Sequence, residues 1–248
     1  MYLKFALNYL RELNMIIETM TFEEICRDYD RIHDIYYPRL KNKLERDGQE
    51  INKIKRYLRK KGKPENLVFT YKYKVDLNTT FFALAIVPDY NSLSKQGPII
   101  NTFITYRNSH GLNAIFRGGA LDNEYIIAYD HFFKRFIERS LKQEMPIENA
   151  ICHFIANNSN FALALCPSNK YPNNIMGITN DVVVFAELVA PKVTLMKTCI
   201  TRDMLYDDQK YPAEVLDINV ELLAEFREYI LQRMMNDPSG QFKYYDFC

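Results

Sequence analysis

The stretch IINTFITYRNSHGLNAIF, Ile99–Phe116, decides the fold class. Two strand-like runs, Ile99–Tyr106 and Leu112–Phe116, flank Asn108-Ser109-His110-Gly111, a short polar turn that ends in glycine. Such a pattern signals a hairpin, and a hairpin is antiparallel. Upstream, Leu67–Val75 alternates apolar and polar residues, as a strand with one covered face does. Thr79–Val87 is a more continuous apolar run, suited to a strand covered on both faces. Downstream, Tyr125–Ala128, Phe161–Leu165, Asp181–Val189 and Val193–Ile200 are strand-like, while Cys166–Thr179, rich in Pro and Asn, is expected to be a long loop.

Helical periodicity occupies the rest. Leu3, Leu7, Leu10, Met15 and Ile16 fit a first amphipathic helix, and Thr21-Phe22-Glu23-Glu24 forms a capping box that opens a second. Pro38 should kink or end that second helix, with Asp47-Gly48 marking a turn. A central helix is expected over about His131–Lys142, then one with Pro146 as its first residue and Ile147, Ile151, Phe154 and Ile155 on its buried face. Asn157–Asn160 stops it, Thr201–Tyr206 is a short helical turn, and Val220, Leu223, Phe226, Ile230 and Met234 mark a last long helix. Elements of one type come in runs, with antiparallel signals, so the expected class is α+β: an antiparallel sheet with helices packed on it. Residues 1–63 form an N-terminal helical arm in this scheme, and residues 64–248 an α+β domain.

Composition bounds the function. With 248 residues and 48% apolar content the chain can bury a substantial core, and Lys plus Arg (32) nearly cancels Asp plus Glu (31). Electrostatic arguments must therefore be local. Five scattered cysteines, Cys26, Cys152, Cys166, Cys199 and Cys248, contain no CxxC pair, which argues for a reducing compartment and against a disulfide framework or zinc knuckle. No apolar run approaches the ~20 residues that span a bilayer. The expectation is a cytoplasmic protein with no membrane partner and no cofactor. One local imbalance stands out: Lys53, Lys55, Arg56, Arg59, Lys60, Lys61 and Lys63 fall within residues 52–63 without an acid. Such a run can grip a phosphate backbone, or it can be a solvated helix face paired to the acids of residues 23–34.

The candidate chemistry lies in Asp130–Arg139. Asp130 can cap a helix on which His131, Arg135 and Arg139 follow at four-residue steps, one above the next. A neutral imidazole can accept a proton, and each guanidinium can offer a fork of donors to phosphate oxygens. The competing description is an ordinary charged face, since Lys134–Glu138 and Glu138–Lys142 are also four apart. Arg107 and Arg117, near the Ile99–Phe116 hairpin, can extend a phosphate track, and His110 at its tip can reach over a site to bind substrate or serve as a second catalytic histidine, or can be plain turn polarity. No His/Cys/Asp/Glu spacing suggests a metal.

His131-x3-Arg135-x2-Glu138-Arg139, the Pro146-Ile147-Glu148 helix start and a strand ending Lys197-Thr198-Cys199-Ile200 together resemble a family of short toxin-like domains. That family is similar in layout to the RelE, barnase and EndoU group of compact metal-independent ribonucleases. The resemblance covers about residues 124–205. It implies that His131 is the acid/base residue, that Arg135 and Arg139 bind phosphate, and that Thr198 orients a substrate oxygen from a facing strand. The implied reaction is attack of a ribose 2′-hydroxyl on phosphorus, with Lys197 or a nearby Tyr as candidate proton donor. RNA and a protein inhibitor are the implied partners. The alternative is a non-catalytic module of the same fold that binds nucleic acid or protein, of the kind mobile elements carry.

Overall fold

A computed structural model describes residues 16, 19–46, 56, 67–87, 98–118, 124–158, 161–166, 172–207, 209, 210, 212–219, 221 and 222. The first amphipathic helix apart from Ile16, the Asp47-Gly48 turn, most of the basic run and the apolar marks of the last helix lie outside these residues. The class is α+β with mostly antiparallel strands. The chain divides into two compact units, residues 1–116 and 117–248.

In the first unit, helix α1 (Phe22–Arg46) is opened by the capping box: the Thr21 N–H donates to Glu24 Oε2 (2.8 Å) and the Glu24 N–H to Thr21 Oγ1 (3.3 Å). Ile25, Tyr29, Ile32 and Leu40 are buried at helical spacing. Pro38 does not end the helix, contrary to one of the two outcomes expected of it. Its ring and Asp34, whose carbonyl loses a donor to it, are both exposed, so water can satisfy that carbonyl. Strands β1 (Leu67–Lys74), β2 (Thr79–Val87), β3 (Ile99–Asn108) and β4 (Gly111–Gly118) are sequential neighbours, and the register is antiparallel from β1 through β4. β1 alternates half-buried and exposed residues along its length, whereas β2 is buried almost throughout, as their different sequence patterns require. Asp76 Oδ1 accepts the N–H groups of Asn78 (2.7 Å) and Thr79 (2.8 Å) and so shapes the β1–β2 turn. Asn108 pairs with Gly111 across Ser109-His110, and Gly111 takes a φ of 114° that a side chain would resist. Helix α1 lies on the face of β1 and β2 that presents Tyr71, Tyr73 and Phe81, with Tyr36 stacked on Phe81 at 5.8 Å.

In the second unit, strand β5 (Glu124–Ala128) leads into helix α2 (Asp130–Phe136) and helix α3 (Ile147–Asn157). Strands β6 (Ala162–Leu165), β7 (Asn174–Ile178), β8 (Val183–Ala190) and β9 (Val193–Ile200) then form an antiparallel ladder, and β9 pairs parallel with β5. β7 corrects the expected long loop. Its sequence, Asn-Ile-Met-Gly-Ile, has little strand character, yet tertiary contacts override local preference. Gly177 belongs there because a Cβ would sit 2.5 Å from Leu163 Cδ2 on the neighbouring strand. Phe132, Phe133 and Phe136 from α2 meet Phe154 from α3 in edge-to-face contacts. Residues 212–219 are helical, and Ala213 and Leu216 pack with Ala162, Met176, Ile178 and Val183. Arg202 holds that helix by donating from two nitrogens to the Asp217 carboxylate (3.3 and 2.7 Å) and from Nη2 to the Thr179 carbonyl (2.9 Å). No helix among the described residues is long and apolar enough to cross a membrane. None of the four described cysteines forms a disulfide.

Candidate functional site

The helix expected over His131–Lys142 forms, but not as one regular α-helix. It is α-helical over Asp130–Phe136 and then widens into a π-turn over Ile137–Leu141. The turn closes with the Lys142 N–H donating to the Ile137 carbonyl (2.8 Å), five residues back, and Lys142 is left-handed (φ 52°). His131 and Arg135 both lie in the α-helical part and share a face. The wider turn takes Arg139 off that line. Asp130 is not the cap; Tyr129 is, and Asp130 is the first helical residue, its carboxylate buried and 2.5 Å from Lys134 Nζ.

Displaced from the stripe, Arg139 reaches strand β9. Its Nη1 donates to the Cys199 carbonyl at 2.7 Å and to Thr198 Oγ1 at 3.4 Å. The contact joins two residues to which the family resemblance assigns separate roles toward a substrate. Within it, however, the guanidinium and the hydroxyl serve each other. Burial pushes the Cys199 thiol up to about 12, with the Arg139 guanidinium opposing that rise, so the thiol stays protonated at neutral pH and is no nucleophile.

The other cations are also engaged. Arg135 Nη1 donates to Glu138 Oε2 at 2.7 Å. Lys197 pairs with Glu187. Lys197 is the extra residue where the β8–β9 register shifts, between Met196 opposite Ala186 and Thr198 opposite Phe185, so a bulge interrupts the period of two there. Arg117, the first residue of the second unit, donates to the Tyr125 hydroxyl of the same unit at 3.5 Å and lies over the Tyr125 ring at 5.5 Å. Arg107 and His110 are exposed on the hairpin of the first unit, and the His110 backbone N–H donates to Asn108 Oδ1 (2.9 Å). His131 itself is exposed. His33 and His153, two further histidines, stack with rings: His33 on Tyr37 at 4.9 Å, and His153 tilted on Phe136 at 6.1 Å. An open hollow of about 580 Å³ lies beside the π-turn, lined by Lys134, Ile137, Glu144, Met145, Pro146 and Ile147, and includes none of the expected site residues.

No family model, curated protein or solved structure matches the chain. The site must be judged on its geometry alone. That geometry brings Arg139 to Thr198 and sets His131 and Arg135 on one face. Lys197 is paired with Glu187. Among the described residues no three His, Cys, Asp or Glu side chains gather as a metal ion would require. The π-turn was the feature hardest to foresee, because Ile137–Leu141 continues the α-helical pattern without a Gly or Pro to interrupt it.

The tie between the π-turn and β9 makes a prediction. Arg139→Ala leaves the Cys199 carbonyl without its charged donor and should lower stability by about 1–3 kcal/mol, with Arg139→Lys recovering part of that. Urea denaturation at fixed m measures it. Unchanged stability in the alanine variant would mean that the guanidinium is not committed to the fold and is available to a ligand.

Proposed function

We propose that this chain binds RNA through its phosphate backbone and does not cleave it. The observation that carries this reading is the separation of charge. In a chain of net charge +1, residues 39–74 hold thirteen Lys and Arg against four Asp and Glu. A cationic segment of that density attracts polyanions whatever the overall balance. Cleavage is less well supported. Attack by a 2′-hydroxyl needs a base, a donor for the leaving oxygen and free charge on the non-bridging oxygens. Asp130, Glu138, Glu187 and the Cys199 carbonyl already engage Lys134, Arg135, Lys197 and Arg139.

One observation favours cleavage as a second reading. His131 is exposed one turn from Arg135, and the Arg135–Glu138 pair lies at the surface, where such pairs are worth ~0–1 kcal/mol and a phosphate can displace the carboxylate. The deciding assay incubates the full chain with a labelled RNA stem-loop in excess chelator, scored on native gels for retention and denaturing gels for scission. Retained, intact RNA is expected with wild type and with His131→Ala alike. Chelator-resistant scission that His131→Ala abolishes would replace the first reading by the second. If wild type neither retains nor cuts RNA, both fail.

A further inference from the structure

Helix α1 is divided by charge. Its first half carries Glu23, Glu24, Asp28, Asp30 and Asp34, and the arginines there are answered locally: Arg27 by Glu24 at 4.0 Å and Arg31 by Asp28 at 3.2 Å. Its second half carries Arg39, Lys41, Lys43 and Arg46 against the single acid Glu45, and Arg39, Lys41 and Lys43 are exposed. These cations are held in a different way. Arg39 lies over the Tyr36 ring at 5.0 Å and Lys43 over the Tyr71 ring at 5.2 Å.

The same device recurs on the other face of the adjoining strand. Tyr71 and Tyr73 of β1 turn toward α1, so Lys72 and Lys74 project from the opposite face, and Lys72 Nζ lies over the Phe82 ring at 5.2 Å. β1 pairs with β2 alone among the described strands. Cations therefore flank this edge strand on both sides. In the sequence the stretch between α1 and β1, residues 47–66, carries seven cations at 53–63.

The contrast with the second unit is physical. A carboxylate partner cancels a cation's charge, as Asp130 does for Lys134 and Glu187 for Lys197. A ring face steadies the side chain through its quadrupole and leaves the full positive charge to act outward. Ordering a lysine or arginine before a ligand arrives also reduces the entropy lost on binding. Arg39 and Lys43, seated on rings beside one strand, thus make a pre-ordered pair of outward-acting charges.

We propose that the β1 edge, through Arg39, Lys41, Lys43 and Lys74, is the surface that takes the nucleic-acid backbone, contacting phosphates rather than bases. This rests on the reading that the partner is RNA. An edge strand rich in lysine also discourages pairing with other strands, so the charge serves the fold as well as the partner.

The test is fluorescence anisotropy of a fluorescein-labelled oligouridylate of about 20 nucleotides across a salt series, with the full chain. Wild type is compared with the neutralised variant Arg39→Gln/Lys41→Gln/Lys43→Gln/Lys74→Gln, which leaves Lys72 on Phe82 so that packing is kept. Circular dichroism confirms that the variant is folded. The expected result is at least a tenfold drop in affinity and a salt slope shallower by roughly 0.7 for each phosphate that the variant no longer neutralises. Lys142→Gln/Lys192→Gln, both exposed in the second unit, should leave both unchanged. If the neutralised variant binds as wild type does, the assignment of this edge is overturned while RNA binding stands. If wild type does not bind the probe at all, the RNA reading itself falls. Binding to anionic phosphatidylserine vesicles in place of the oligonucleotide would overturn both in favour of a membrane surface.

Discussion

Phe154→Ala should destabilise the second unit by about 3–5 kcal/mol, the range for truncating a buried aromatic ring. Phe154 is 1% exposed and is the ring on which α2 and α3 meet. Its centroid lies 5.2 Å from Phe132, 5.2 Å from Phe136 and 6.1 Å from Phe133, each close to perpendicular. Edge-to-face pairs of this kind add ~0.5–1.5 kcal/mol each beyond the area they bury, though the terms are not additive. Helix α2 is only seven residues long and cannot hold its shape without such packing. Urea denaturation at unchanged m is the measurement, with Phe154→Leu as a variant that keeps most of the volume and should lose much less. A loss under about 1 kcal/mol would show that the four rings are not what seats these helices.

Phe82→Ala should have an effect of similar size, about 3–5 kcal/mol, on the first unit. Phe82 is fully buried and stacked on Phe103 across the β2–β3 register, with centroids 4.8 Å apart and planes 8° apart. The substitution opens a cavity on a strand that is covered on both faces, where collapse of the backbone around it is resisted by ladders on either side. Leu77→Ala, at 85% exposure in the adjoining turn, is the control and should fall within about 0.5 kcal/mol of wild type. Equal effects from the two substitutions would contradict the placement of Phe82 in the core.

Much of the fold was legible because its signals are local. The β3–β4 hairpin is announced by a two-residue turn and a glycine, the Thr21–Glu24 box by two residues three apart, and β1 and β2 by their different periodicity. β7 was not legible. Asn174 and Gly177 weaken its strand character, and what makes it a strand is the pair of neighbours on either side of it, which a local window does not contain. Pro38 misled for a related reason: whether proline ends a helix depends on which way the bereft carbonyl faces.

The candidate site was legible in part. The Arg139–Thr198 contact joins two residues that the motif singles out, whereas the bulge at Lys197 in β9 leaves no mark in the side-chain pattern. The consequence of the π-turn, by contrast, is a property of backbone hydrogen bonding that side-chain spacing does not encode. The acids that answer Arg135 and Lys197 were present in the sequence. Glu138 was visible at three residues' distance, but Glu187 is brought in by the β8–β9 ladder.

The parallel ladder of β5 and β9 sets an order of events in time. Ile127 waits for Leu195, so while the chain is being synthesised β5 stands with one flank unfilled until the whole α2–β8 segment has left the ribosome. A nascent chain paused before Val193 would hold a sticky apolar ribbon in the open, and that interval is when a chaperone would have most to do.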